Sequence, residues 1–252
     1  MNKEVLILSN ISKSFRIGVK HEQSFLAKII DNIFSRTETK EIKILNKVSF
    51  CVVPKEIVGI IGDNGSGKST LLRIIAGIYR QDEGDIYTKG KIVSLINLVV
   101  GLKERLTMKD NIFLCCSLFN LPQKEIRVKM HSIANFSGLE SFMETKIYQF
   151  SQGMRQRLSF SIAVHCNPDI LLLDEVFEVG DEDFKKKSAN KIRELVASGS
   201  CVILISHDLE IIKMYCDTVY LLEAGHITRF QSPQEAINKY LEKNVQPNKK
   251  QN

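Results

Sequence analysis

Short runs of apolar residues recur along the chain without alternation, and polar residues or glycine bound each of them. Residues 57–61, 170–173 and 201–205 form three such runs. A run of this length that is apolar on both faces is typical of a strand buried within a parallel sheet. Strands and helical segments alternate through most of the sequence, which predicts an α/β fold with a mainly parallel sheet.

Two segments near the N-terminus have the residue types of strands in an additional, antiparallel layer. They are residues 5–8 and 43–53. Near the C-terminus, residues 233–243 predict a helix, and the polar residues 245–252 predict a disordered tail.

The middle of the chain, from Thr107 to about residue 150, has a helical pattern. Thr107 is a suitable N-cap, and the charge of Asp110 favours the first helical turn. Pro122 and the Ser137-Gly138 step interrupt the pattern, so we expect several short helices here rather than one long helix.

The composition narrows the class of protein. The 252 residues are 44% hydrophobic and 25% charged, which suits one domain or one domain with a closely packed subdomain. There is no apolar run of about eighteen residues and no basic-then-apolar leader, so the sequence predicts a cytoplasmic location. The six cysteines lack CxxC spacing, which favours small buried hydrophobes over metal ligands.

The positive charge is mild and dispersed. A formal net charge of +6 is spread along the chain, whereas a nucleic-acid interface concentrates its charge in a stripe, so no nucleic-acid partner is expected. Residues 185–187 are three consecutive lysines. We interpret them as a solvated helix face, with attraction to anionic lipid head groups as the weaker alternative.

The strongest chemical signal is a complete GxxxxGK[ST] motif that follows a predicted buried strand and precedes an apolar helix. Its glycines allow backbone N–H groups to converge on phosphate oxygens, and the following helix adds the positive end of its dipole. Lys68 is predicted to contact the β- and γ-phosphates, and Ser69 to bind Mg²⁺. The motif consists of Gly62, Asp63, Asn64, Gly65, Ser66, Gly67, Lys68 and Ser69.

Two carboxylates end another predicted buried strand. Asp174 and Glu175 follow residues 170–173, which places them at the carboxyl edge of the sheet beside the phosphate-binding loop. Asp174 is predicted to hold hydrated Mg²⁺, and Glu175 to orient and deprotonate the attacking water. A helix cap is the alternative role for such acidic residues.

Two further motifs accompany these. Ser151, Gln152 and Gly153 precede a helix that is predicted to run to about His165, and they form either an anion site or an ordinary N-cap. His207 follows the buried run 201–205. It shares the sheet edge of the other motifs, where it could reach a γ-phosphate.

The order of these motifs resembles one superfamily, the ATP-binding cassette (ABC) ATPases, over nearly the whole chain. The resemblance implies a P-loop NTPase core with an N-terminal antiparallel layer, within a domain spanning residues 1–244. It also implies a helical subdomain at about 106–165 and an insertion at about 16–40. ATP and Mg²⁺ are the implied ligands.

The resemblance assigns roles residue by residue. Ser151-Gln152-Gly153 is similar to the family's LSGGQ signature, with Gln152 where many members have glycine. Asp174-Glu175 resembles the Walker B pair, with Glu175, His207 and Lys68 as the catalytic residues. The resemblance also implies that Phe15 stacks on adenine and that Thr70, directly after the GxxxxGK[ST] motif (the P-loop), contacts the nucleotide. Asp181 corresponds to the D-loop aspartate, and Asn97 occupies the Q-loop position near Mg²⁺. Asn97 is one methylene shorter than the Gln or Glu usual there.

The resemblance also implies a head-to-tail homodimer that sandwiches each ATP between one subunit's P-loop and the other's signature segment. The unusual Ser-x-Gly-Met signature and the residues after Glu175 resemble the cassette subunits of polysaccharide exporters. These export lipid-linked O-antigen, capsule or teichoic acid. Such a subunit is expected on the cytoplasmic face of the bacterial inner membrane, held there by a multi-span permease.

Alternatives remain open at this stage. Residues 21–36 have apolar residues at helical spacing, and such a helix either packs on its own domain or docks on the membrane partner. An exporter of drugs, lipids or lipoproteins is the alternative within transport. A soluble cassette ATPase that acts on nucleic acid or the ribosome is the alternative outside it.

Overall fold

The apolar runs of the sequence become the central strands of a six-stranded sheet. The computed structural model describes residues 4–17, 40–96, 101–174 and 180–244. Its strands are β1 (Leu6–Ile17), β2 (Lys40–Val52), β3 (Ile57–Ile61), β4 (Glu83–Thr88), β5 (Ile92–Ser94), β6 (Ile170–Asp174), β7 (Cys201–Ile205), β8 (Thr218–Glu223) and β9 (His226–Phe230). The large sheet has the order β5-β6-β7-β3-β8-β9. Its strands are parallel except β9, which is antiparallel to β8.

The predicted antiparallel layer is a separate three-stranded sheet of order β2-β1-β4. It is longer than the sequence pattern indicated. Strand β1 continues through register shifts to Ile17, and its last residues pair with the start of β2, Arg16 with Glu41 and Ile17 with Lys40. The insertion predicted at about 16–40 therefore begins and ends within paired strands, and residues 18–39 lie outside the described structure.

Seven α-helices surround the sheets in the part of the chain that the structure describes. They are α1 (Lys68–Ile75), α2 (Met108–Leu118), α3 (Gln123–Ser137), α4 (Gln152–His165), α5 (Glu182–Ser198), α6 (Leu209–Tyr215) and α7 (Pro233–Asn244). The predicted breaks are confirmed, since Pro122 is the N-cap of α3 and Gly138 is its left-handed C-cap. Thr107 caps α2 in a reciprocal capping box with Asp110, which satisfies two backbone donors at the helix start.

The central strands are buried on both faces, which explains their uninterrupted apolar sequence. In β6, Leu171 and Leu173 join a core cluster with the helices of the middle segment. Their neighbours Ile170 and Leu172 join a second cluster with β1, β2 and α1. Successive side chains of a strand point to opposite faces, so each face of the large sheet packs against its own core cluster. Packing on both faces fixes the position of the strands and of their carboxyl ends.

Among the described helices, none is both long enough and apolar enough to cross a bilayer. Of the cysteines, five are buried and Cys51 is partly exposed. Burial raises the pKa of Cys115, Cys201 and Cys216 to about 12, as expected for thiols in an apolar core.

Candidate active site

The GxxxxGK[ST] motif forms the turn between β3 and α1. Gly67 is the N-cap of α1 and has a left-handed backbone, with φ of 106°. A Cβ atom there would lie 3.0 Å from the side chains of Ile44 and Leu45, so the position requires glycine for both conformation and space. The loop therefore packs closely against β2 where it leads into the first turn of α1.

Lys68 is the first residue of α1, and its side chain curls back over the loop. Its Nζ donates to the carbonyl oxygens of Gly62 at 2.8 Å and Asp63 at 2.9 Å. Only 6% of the residue is exposed, so its charge acts in a partly desolvated setting, where electrostatic interactions are stronger than in water. The hydroxyl of Ser66, in the same loop, is buried and has no hydrogen-bond partner. A phosphate oxygen would provide an acceptor for this donor.

A cleft of about 300 Å³ opens over this loop. Its lining residues come from β2, the loop, the start of α1 and the segment after β7; they are Ile44, Asn64, Gly65, Gly67, Lys68, Ser69, Thr70 and His207. The structure therefore brings His207 together with most of the predicted phosphate-binding residues. This juxtaposition joins residues that are 137 or more positions apart in the sequence.

Register within the sheet explains why these groups meet. Asp174, the last residue of β6, is opposite Ile205 of β7, and Ile205 is opposite Ile60 of β3. The three parallel strands thus end at the same level. Asp174, His207 and the phosphate-binding loop consequently leave the sheet at one edge, as the sequence predicts.

A larger hollow, of about 550 Å³, lies at the far end of β1 and β2. Its lining mixes basic and acidic side chains, among them Arg16, Lys43, Glu41 and Asp82. None of the predicted site residues lines it among those described. The smaller cleft is therefore the candidate active site, since Lys68, Ser69 and His207 line it.

Phe15 is half-buried on β1 and is not among the described residues that line the cleft. Its ring makes an edge-on contact with Tyr79, with centroids 5.6 Å apart, and the Nζ of Lys13 lies 5.4 Å from its centroid. The predicted stacking on adenine stays a prediction.

The segment Ser151-Gln152-Gly153 begins α4. Ser151 is the N-cap, and its hydroxyl accepts from the backbone N–H of Met154 at 3.2 Å. Ser151 and Gln152 are exposed and Gly153 is partly exposed. None of the three is among the described residues that line the P-loop cleft. The structure thus presents the signature segment to solvent as a separate surface.

Asp181 is the N-cap of α5 and also forms an ion pair with α4, the helix that begins at the signature segment and is called the signature helix below. One carboxylate oxygen accepts from the N–H of Phe184 at 2.9 Å, and the other accepts from Arg157 of α4 at 2.7 Å. The Phe184 N–H and then the Arg157 guanidinium hold the pKa of Asp181 below its ordinary value. Sequence reasoning missed the contact with Arg157, because 24 positions separate the two residues and no local pattern links them.

Two predicted residues, Glu175 and Asn97, lie outside the described residues. The position of Glu175 along the chain, directly after Asp174, is the sole indication of where it belongs.

Comparisons with known proteins identify the family of the chain. The ABC transporter family matches residues 45–178, more than half of the chain. The chain belongs to this family. The solved structure of the ATP-binding subunit of an ABC transporter shares the fold, with a TM-score of 0.75 and 22% identity over 94% of this chain and 99% of that one. The cleft over the glycine-rich loop therefore lies within an ABC ATPase domain.

Two curated ABC relatives cover nearly all of the chain. The teichoic acids export ATP-binding protein TagH of Lactococcus lactis is 38% identical over 97% of this chain and 52% of its own length. The O-antigen export system ATP-binding protein RfbB of Klebsiella pneumoniae is 32% identical over 94% of this chain and 97% of its own length. The chain spans about half the length of several curated relatives that it matches.

The residues of this ABC domain suit a magnesium ion that is also bound by nucleotide phosphates. Ser69 offers a hydroxyl in the cleft, and Asp174 offers a partly exposed carboxylate at the same sheet edge. Among the described residues, no group of three or more His, Cys, Asp or Glu side chains could hold a metal by itself. Mg²⁺ commonly takes one or two protein oxygens, with phosphate and water completing its shell.

Proposed function

We propose that this chain is the nucleotide-binding subunit of an ABC exporter that hydrolyses ATP as a head-to-tail homodimer. In this proposal it drives export of a lipid-linked polysaccharide through a partner permease in the membrane. The single observation that carries the ATPase part is the cleft in which Lys68, Ser69 and His207 converge.

The homodimer is supported by the separation of the two phosphate-binding surfaces. The P-loop cleft is open, and the signature segment that begins at Ser151 is exposed elsewhere on the protomer. A second protomer in the opposite orientation would place its signature segment over the bound nucleotide. ATP that is bound only by the closed pair stabilises it by mass action, and hydrolysis removes that stabilisation.

The chemistry follows from the residues at the sheet edge. The loop amides and Lys68 bind and orient the phosphates, and His207 contacts the γ-phosphate. Glu175, directly after Asp174, orients the attacking water and accepts its proton. Ser69 and Asp174 would hold Mg²⁺, which neutralises charge on the phosphate oxygens when bound. Phe15 would stack on the adenine.

The substrate class is supported by the relatives. Their names describe export of teichoic acids and of O-antigen, both of them polysaccharides or related polymers. Both names describe the ATP-binding protein of an export system, which suits a chain that supplies an ABC ATPase domain.

The proposal predicts that Glu175→Gln binds ATP but barely hydrolyses it. Loss of a general base costs about a hundredfold to ten-thousandfold in rate, so the variant should accumulate as a closed dimer. The measurement is solution mass with and without Mg-ATP, alongside phosphate release by the wild type.

Lys68→Ala is the matched variant, since it should lose nucleotide binding and show no ATP-dependent mass shift. A Glu175→Gln protein that binds ATP yet stays monomeric would contradict the sandwich mechanism.

The export role needs a separate test in cells. The tagged chain should co-purify with a multi-span membrane protein from solubilised membranes. Cells in which Lys68→Ala replaces the wild type should accumulate a lipid-linked glycan on the cytoplasmic side. Accumulation of an unrelated lipid or drug would move the assignment to another class of exporter.

A further inference from the structure

The first turn of the signature helix is held by an ion pair that joins it to a distant loop. Arg155, in the first turn of α4, donates through Nη1 to the Glu104 carboxylate at 2.7 Å. Its Nε donates to the carbonyl oxygen of Phe150, the residue before the N-cap, at 3.3 Å. The guanidinium of Arg155 therefore contacts both the Glu104 loop and the segment that leads into α4.

Glu104 is presented from a loop that is itself fixed. Asn111 of α2 is fully buried, and its side-chain oxygen accepts from the N–H of Lys103. Its two amide hydrogens are shared among three carbonyl oxygens within hydrogen-bonding distance, those of Lys103, Leu106 and Thr107. A buried amide with several hydrogen bonds is costly to displace. The loop that carries Glu104 is thus anchored to α2.

The same loop runs beside the segment that leads into the signature. The N–H of Tyr148 donates to the carbonyl oxygen of Glu104, and the N–H of Ile147 to that of Leu106, both at 3.1 Å. Ile147 and Phe150 of the lead-in segment are buried and belong to the larger core cluster. Arg155 of α4 contacts both the Glu104 loop and Phe150 of the lead-in segment. The loop, the lead-in segment and the start of α4 are therefore all connected by hydrogen bonds.

We propose that Arg155 is a positioning residue that holds the signature segment in the orientation needed to meet the nucleotide of a second protomer. The inference rests on the proposed ATP-sandwich dimer. Arg155 does not touch the protomer's own P-loop cleft among the described contacts, so its loss should weaken dimer closure without changing nucleotide binding by the monomer.

The expected effect of Arg155→Ala on dimerisation depends on how exposed the Arg155–Glu104 ion pair is to solvent. Arg155 is 28% exposed and Glu104 is 61% exposed, and ion pairs of this kind contribute modestly. Because a closed dimer uses two signature segments and each is loosened by the substitution, we expect Arg155→Ala to raise the ATP concentration for half-maximal dimerisation by about threefold to tenfold.

The test compares variants in the Glu175→Gln background. Arg155→Ala and Glu104→Gln should each raise the ATP concentration needed for dimerisation, whereas the affinity of a fluorescent ATP analogue for the monomer stays within about twofold. The charge swap Glu104→Arg with Arg155→Glu should restore dimerisation toward the parent value. Rescue by the swap would show that the ion pair, rather than either side chain alone, holds the signature segment.

A matched ion pair provides the control. Lys109 and Glu144 lie 3.2 Å apart in the same region but contact neither the signature segment nor Arg155 in the described structure. Lys109→Met and Glu144→Gln should leave dimerisation unchanged. An equal effect of these substitutions, or a charge swap no better than the single variants, would overturn the inference.

Amide hydrogen exchange separates this inference from the proposed dimer. Without nucleotide, Arg155→Ala should speed exchange at Met154 and Gln156 by about threefold or more, because the first turn opens more often. If the Glu175→Gln protein stays monomeric in ATP, that result contradicts the proposed dimer but not the role of Arg155 in holding the first turn. Unchanged exchange in the first turn would overturn the role of Arg155, whatever the dimer does.

Discussion

Glycine is required at Gly62 because a neighbouring strand leaves no room for a side chain. Gly62 follows β3, and its φ is 150°. A Cβ atom there would lie 2.2 Å from the carbonyl oxygen of Leu222 in β8, a backbone atom that cannot move alone. The first residue of the phosphate-binding loop is thus fixed by the sheet rather than by the ligand.

Gly62→Ala should therefore lower the free energy of unfolding by on the order of 3 kcal/mol, since strand β8 must shift to admit the methyl group. Gly65→Ala is the control. Gly65 also has a positive φ, of 80°, but nothing lies within 4 Å of its Cβ position, so it should cost about 1–2 kcal/mol. Urea unfolding measures both, and equal midpoints would show that the close contact is relieved at little cost.

At the scale of elements, α5 depends on a residue that both begins the helix and ties it to α4. Asp181 caps α5 and pairs with Arg157. The Arg157 guanidinium also lies 5.4 Å from the ring centroid of Phe184. The two helices that flank the predicted signature and D-loop are thus connected through one carboxylate.

Asp181→Ala should lower the melting temperature by about 2–4 °C, because the first turn of α5 loses its cap. Asp181→Asn keeps a capping oxygen but loses the ion pair, so its melting temperature should lie between those of Asp181→Ala and the wild type. The variants are compared by thermal unfolding at pH 7.

The pKa of Asp181 adds a pH dependence to this comparison. Its pKa is lowered in the folded state, so its contribution is complete above the ordinary aspartate pKa and is lost as pH falls through the lowered pKa. The difference between wild type and Asp181→Ala should accordingly shrink in acid. A constant difference down to pH 2 would contradict this reading.

At the scale of the whole molecule, one histidine links global stability to pH near neutrality. His165 ends α4, its Nδ1 lies 2.7 Å from the Ser161 carbonyl oxygen, and its ring packs edge-on against Phe136. Burial first, then the charges of Lys191, Lys129 and Lys187, keep the pKa of His165 below 6.5. Glu194 is an acidic residue that interacts electrostatically with His165.

The unfolded chain therefore binds a proton at His165 before the folded chain does. Stability from this group is complete above pH 6.5 and is lost as pH falls through the lowered pKa, with a slope of at most about 1.4 kcal/mol per pH unit. His165→Gln should flatten the curve of unfolding free energy between pH 7.5 and 5. Parallel curves for the two proteins would show that His165 is not the group responsible.

Features that depend on neighbouring residues could be predicted from the sequence. Helix ends were predictable because Thr107, Pro122 and Gly138 act within one turn of their own position. The buried strands were predictable because burial on both faces requires continuous apolar residues. The phosphate-binding loop was predictable because its glycines and Lys68 are contiguous. The less apolar strand β4 and the C-terminal strands β8 and β9 were not identified.

Contacts between distant segments could not be predicted from the sequence, because they depend on how the whole chain packs. Strand register placed Asp174 and His207 at the edge that carries the P-loop, which the sequence predicted in outline through the rule for parallel sheets. The pairs Arg155–Glu104 and Arg157–Asp181 had no sequence signal. Charged residues are abundant on any surface, so which two meet depends on how the helices pack, and packing is a property of the whole chain.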